Sequence, residues 1–177
     1  MNLAEKLTDK LVKMEVINDE DKNLYCYGFK QGVLLFLNMI TVIIIGFIFN
    51  MTWQSVIFMI AYSCLRIYAG GYHANTQLSC YFFSLIMIIA VLWLIKLVVW
   101  NGLICLIITA ISSLIILLMA PIEDANKPLD QKEKEVFKKR ANIILIILIL
   151  FVLFLWLGRV KQVSICIMMG ICVVSIM

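Results

Sequence analysis

The chain reads as an all-α integral membrane protein: a polytopic bundle of about six transmembrane helices preceded by an amphipathic N-terminal helix. Three observations predict it. Of 177 residues 64% are hydrophobic, with a mean hydropathy of +1.04, against roughly 45–50% apolar residues in soluble domains. A single core in a chain of this size cannot hide that much apolar surface, whereas a bilayer can. The apolar residues also come in runs close to the ~20 residues that a spanning helix needs. Finally, the breaks are as short as Asn50-Met51-Thr52 and Asn101-Gly102. A helix running through such a break would be about twice too long for the membrane, so the runs fold back as antiparallel hairpins.

Residues 1–31 form a segment of their own. Leu3, Leu7, Leu11 and Met14 recur at helical spacing among Glu5, Lys6, Asp9, Lys10, Lys13 and Glu15. This predicts an amphipathic helix on the membrane surface or against the bundle, not the basic start and apolar centre of a secretory signal. The transmembrane domain follows over 32–177, with spans at Gly32–Phe49, Trp53–Ala69, Tyr81–Trp100, Leu103–Ala120, Asn142–Gly158 and Gln162–Met177. The last run is short, which leaves a re-entrant or surface-lying segment as its alternative.

Charge predicts the orientation. With the N-terminus inside, one side of the membrane receives Lys6, Lys10, Lys13, Lys22, Lys30, Lys127, Lys132, Lys134, Lys138, Lys139 and Arg140. The other receives only Arg159 and Lys161, so the count is eleven against two. The positive-inside rule then makes two loops cytoplasmic: residues 70–80 and the charged residues 121–141. The bilayer is the expected surroundings, and no nucleic-acid partner is expected.

Residues 70–80 hold the candidate nucleophile–base pair, with a histidine that bridges lipid headgroups and a cysteine that merely packs as the alternatives. They hold the single histidine, His73, and one of six cysteines, Cys80. Cys26, Cys64, Cys105, Cys166 and Cys172 form no CxxC pair, so neither a metal site nor a redox dithiol is suggested, and no cofactor is expected. A cysteine attacks as its thiolate, and an imidazole within about 3 Å can take the proton. His73 and Cys80 are seven residues apart, which along an unbroken helix is about 10.5 Å and too far. The chain must therefore fold back. Gly70-Gly71 supplies the break, with the second span ending near Ala69, His73 on a loop, and Cys80 starting the next helix. Arg66, at the inner end of the second span, either snorkels or holds a partner.

These residues resemble those of the AgrB (accessory gene regulator B) family of bacterial quorum-sensing membrane peptidases. The resemblance rests on R-x3-G-G-x-H-x6-C, present as Arg66, Gly70, Gly71, His73 and Cys80. It is supported by "YGFKQG" at Tyr27–Gly32, by "PIEDANKPL" at Pro121–Leu129, and by overall length and hydropathy. It implies a membrane cysteine endopeptidase acting on a small amphipathic AgrD-type precursor peptide, on that peptide's C-terminal side. Cys80 is implied as the nucleophile that forms an acyl-enzyme thioester, and His73 as the base and then the acid. A Cys or Ser of the precursor would then attack the thioester and close a thiolactone or lactone ring. Thioester exchange is nearly isoenergetic, so the acyl group stays activated while a membrane-embedded site keeps water away.

The resemblance further implies that Arg66 binds a precursor carboxylate or holds the loop, that Gly71 makes the turn, and that Gln31 orients His73 or polarises the scissile carbonyl. Lys138, Lys139 and Arg140 are candidate docking contacts for an acidic precursor tail. A homodimer is compatible with the chain.

Two other classes compete, a small transporter and a noncatalytic scaffold for a peptide partner. The spans contain almost no charge, no evident inverted repeat and no paired Gly/Pro breaks of the sort transporters use. One histidine without HExxH leaves too few ligands for a metalloprotease. No GxSxG supports a serine protease.

Overall fold

A computed structural model describes residues 3–14, 16–70, 77–122 and 130–177. Among them are seven α-helices and one short 3-10 turn, Asp19–Asp21. The helices are α1 (Leu3–Lys13), α2 (Lys22–Ile48), α3 (Thr52–Ala69), α4 (Gln77–Leu97), α5 (Gly102–Met119), α6 (Gln131–Leu157) and α7 (Lys161–Ile176). The all-helical fold expected from hydropathy is the observed one.

The chain divides into two units, Met1–Thr41 and Val42–Met177. In the first, α1 and the start of α2 are joined by an ion pair between Lys22 Nζ and Asp9 Oδ1, 2.7 Å apart. Both partners are substantially exposed, so this pair contributes little stability.

The second unit is a bundle with α7 at its centre, packed against α3, α5 and α6. Ser164 through Ile171 are buried without interruption, and so is Val174. A helix wrapped by protein all round needs no amphipathic face. The surface-lying alternative for the last apolar run therefore gives way to an interior helix. At 16 residues it is shorter than a usual span, and it does not itself face lipid along its length.

Among the described residues, four segments are long and apolar enough to cross a membrane: Lys22–Ile48, Ser79–Leu97, Gly102–Met119 and Gln131–Leu157. The other two helices expected to span, α3 and α7, are the ones most enclosed by their neighbours. For α3 the reason is legible in its composition, since Gln54 and Ser55 are buried against protein rather than exposed to hydrocarbon.

In a bilayer, apolar burial does not drive helices together, because lipid is as apolar as leucine. Close approach at small residues and interhelical hydrogen bonds do so instead. Both devices are present. A Cβ on Gly170 of α7 would stand 3.1 Å from the Ala61 Cβ and 3.1 Å from the Tyr62 nitrogen of α3. A Cβ on Gly46, near the end of α2, would run into the Ser55 hydroxyl. Ser164 Oγ donates to the Val152 carbonyl at 2.9 Å, tying α7 to α6 in a buried position.

The two ends of this unit differ chemically. At one end lie Trp53, Trp93, Trp100 and Trp156, all four tryptophans of the chain. Trp156 packs against Gly102, and Lys161 Nζ lies 5.8 Å from its ring centroid. Such an indole belt is the expected anchor at a membrane–water boundary. The other end gathers the last turns of α3, α5 and α7 with the first turns of α4 and α6, and it carries the candidate site.

Candidate active site

The site begins with the end of α3. Its C-cap is Gly70, with φ 75° and ψ −148°, and the Gly70 N–H donates to the Arg66 carbonyl at 3.1 Å. This is a backbone region that essentially only glycine occupies. The helix thus ends at Ala69, where the Gly-Gly pair predicted, and the chain leaves in a direction no side-chain-bearing residue takes without strain.

A second segment holds that exit in place. The Ile122 N–H donates to the Ala69 carbonyl at 3.0 Å, and Gly70 and Ile122 form a parallel β-bridge. A Cβ on Gly70 would strike the Ile122 carbonyl oxygen. The two motifs, one around Gly70 and the other beginning at Pro121, therefore meet backbone to backbone.

Cys80 is the fourth residue of α4 and partly buried. It lies in the first turn, as expected, at the end of a helix where the backbone dipole favours negative charge. All six cysteines are free thiols. His73 and Gly71 lie outside the described residues. Gln31 falls within α2, in the first unit, and its side chain is likewise outside the described residues.

Arg66 is in the last turn of α3, one helical turn beyond Tyr62. Its guanidinium carbon lies 5.7 Å from the Tyr62 ring centroid, and its Nη1 donates to Sδ of Met177 at 3.4 Å. The Tyr62 hydroxyl donates to the same sulfur at 3.3 Å. Behind it the Tyr62 ring stacks on Phe58, with centroids 5.8 Å apart and planes 15° apart. Arg66 and Cys80 are both within electrostatic range of the Tyr62 hydroxyl. Tyr62 and Met177 were not among the residues singled out from the sequence. The spacing of four between Tyr62 and Arg66 was the available signal, since it puts both on one helix face. No local pattern announces Met177, which is 111 positions from Arg66.

Beside Met177 opens an apolar cleft of about 120 Å³ between the ends of α3, α5 and α7, lined by Ala69, Gly70, Ile116, Ile122 and Val174 among others. It gives the site an apolar wall next to its polar cluster.

The basic residues of the charged loop lie on α6. That helix starts with a capping box, in which Asp130 accepts from backbone N–H groups of the first turn and the Glu133 carboxylate accepts from the Asp130 N–H at 3.3 Å. Lys138 and Lys139 are exposed. Arg140 is held differently: its guanidinium carbon lies 5.6 Å from the ring centroid of Tyr68, which also packs on Phe137 at 5.8 Å. The start of α6 is thereby pinned to the last turn of α3, two residues before Gly70.

The profile of the family described as Accessory gene regulator B matches residues 4–177. Among curated proteins, the chain is 26% identical over 161 residues to an "AgrB-like protein 2" of Clostridium perfringens (strain 13 / Type A), covering 85% of this chain and 74% of the relative. The same figures hold for an "AgrB-like protein" of Clostridium perfringens strain SM101. No solved structure matches the chain. The match extends over nearly every residue, from α1 through α7, and on that ground the chain belongs to the accessory gene regulator B family.

Proposed function

We propose that the protein is a membrane cysteine endopeptidase that cleaves a small AgrD-type precursor peptide on its C-terminal side. Cys80 attacks the scissile carbonyl carbon and its proton passes to His73. The tetrahedral adduct collapses to a thioester, and His73 returns the proton to the departing amine. A nucleophilic side chain of the retained precursor fragment then displaces Cys80, closing a macrocycle and regenerating the thiol.

The observation that carries this reading is the position of Cys80. It is a partly buried thiol in the first turn of α4, at the end of the bundle where α3 closes and one short segment beyond a Gly70 exit held by Ile122. An anchored helix exit on one side and a rigid helix start on the other can hold a nucleophile and its base at a reproducible distance. The match to the family adds support. Arg66 holds the site's polar cluster together. Lys138 and Lys139 attract an acidic precursor tail. The Cys80 end faces the cytoplasm, where the basic residues of α6 also lie, and the tryptophan end faces out.

The test is intact-mass analysis of membranes that co-express the protein with a candidate precursor. Wild type should yield a fragment shortened at its C-terminal side, and Cys80→Ala and His73→Ala should yield none. Equal processing by all three would remove the peptidase reading and bring the transporter or scaffold forward.

A further inference from the structure

Two hydrogen-bond donors converge on one point at the site. The Tyr62 O–H and the Arg66 Nη1–H reach the Met177 sulfur from the same face of α3, at 3.3 and 3.4 Å. A thioether is a weak acceptor. Two good donors, one of them charged, are thus aimed at a position that an oxygen atom would fill far better. The tyrosine is held in place, and the Arg66 guanidinium carbon lies 5.7 Å from its ring centroid. Phe58 stacks behind the Tyr62 ring, and the α3 backbone at Tyr62 is pressed against Gly170 of α7. Met177 follows the last turn of α7 on a flexible, unbranched side chain, so the sulfur can swing aside without moving a helix.

Convergence of preorganised donors on one point is the requirement for stabilising an oxyanion, and this point lies at the end of the bundle that also carries Cys80. We propose that Tyr62 is a further catalytic residue: with Arg66 it binds the carbonyl oxygen of the scissile peptide, in the place Met177 Sδ now occupies, as Cys80 attacks. The inference rests on the peptidase reading above. In the step, the Cys80 Sγ–C bond forms and the carbonyl π pair moves onto oxygen, where the two donors hold the negative charge. When the C–N bond breaks, that pair returns to reform C=O, and the amine leaves with the proton carried by His73. No further reactant is needed.

The donors serve the transition state more than the ground state, because charge on the oxygen appears only during attack. Tyr62→Phe keeps the ring and its stacking on Phe58 and removes only the O–H. It should lower kcat for precursor cleavage by about 100-fold, with KM, precursor capture and alkylation of Cys80 by iodoacetamide near wild type. Cys80→Ala is run beside it. Loss of cleavage in Cys80→Ala with wild-type kcat in Tyr62→Phe overturns the proposal and leaves the peptidase reading standing. A Tyr62→Phe loss expressed mainly in KM or in Cys80 alkylation also overturns it, since the hydroxyl would then be shaping the site and not serving the reaction. Unimpaired cleavage by Cys80→Ala ends both.

Discussion

Gly70 and Ile122 lie backbone against backbone, so close that a methyl group on Gly70 would collide with the Ile122 carbonyl oxygen. Fifty-two positions apart in sequence, they join the exit of α3 to the exit of α5. The chain that leads on to His73 therefore departs from a fixed point.

Gly70→Ala should for that reason be among the most damaging small substitutions in the chain. It combines a backbone conformation costing about 1–3 kcal/mol for a non-glycine residue with a direct clash. Thermal unfolding in detergent should shift downward, and precursor processing in cells should fall with it. Gly28→Ala in α2 is the matched control, because a Cβ there meets nothing within 4 Å. In a helix interior it should be neutral or stabilising by up to ~1 kcal/mol. Equal behaviour of the two variants would count against the Gly70–Ile122 junction.

Gly170 sets the distance between α7 and α3. An alanine there would sit 3.1 Å from both the Ala61 Cβ and the Tyr62 nitrogen, tight enough that the helices must yield slightly. Leucine cannot be accommodated without separating them. Gly170→Leu should destabilise by about 1–3 kcal/mol, as overpacking does, and should displace Tyr62 from the site. Size-exclusion after a temperature ramp reads the first effect and precursor cleavage the second. A variant with wild-type melting would show that α3 and α7 do not touch here.

The basic residues of α6 should separate into two kinds. Arg140→Gln loses its place over Tyr68, worth about 0.5–1 kcal/mol, and should lower thermal stability. Lys138→Gln with Lys139→Gln should leave stability unchanged and weaken capture of an acidic precursor tail, with the difference vanishing as salt is raised. Precursor pull-down at two ionic strengths checks this. If the double lysine variant binds normally at low salt, these side chains serve only membrane orientation.

Orientation itself can be read chemically. In a background with the six native cysteines replaced by serine, Arg159→Cys should react with a membrane-impermeant maleimide added to whole cells. Lys132→Cys should react only after permeabilisation. The reverse pattern would place the Cys80 end outside and overturn the cytoplasmic placement of the site.

Ser164→Ala removes the donor to the Val152 carbonyl and leaves that bond unmade in the centre of the bundle. Interhelical hydrogen bonds in membrane proteins average about 0.6 kcal/mol, so a small but measurable loss of thermal stability is expected. No loss would mean that the Val152 carbonyl is served well enough by its own helix.

Features that depend on neighbours along the chain are legible in the order of residues alone. In lipid every backbone polar group must be satisfied within its own segment, so apolar runs become helices and polar breaks become turns. That logic located the end of α3 at Ala69, the break at Gly70 and Cys80 in the opening turn of α4. It did not extend to α7. A run of 16 residues with glycine and serine among its apolar positions looks the same whether it lies on a surface or fills a core, and only its packing against α3, α5 and α6 distinguishes the two.

Hydropathy and the Gly-Gly break, then, determined a helical membrane protein with a cysteine at a helix start beside a turn. Tertiary structure decided which distant groups share that end: Ile122 against Gly70, Arg140 over Tyr68, and Tyr62 with Arg66 on Met177. The division follows from the physics. The bilayer acts on each segment separately, through hydropathy and backbone satisfaction. Contacts between helices depend on the fit of small residues and single polar side chains, whose partners lie tens of positions away and leave no periodic trace.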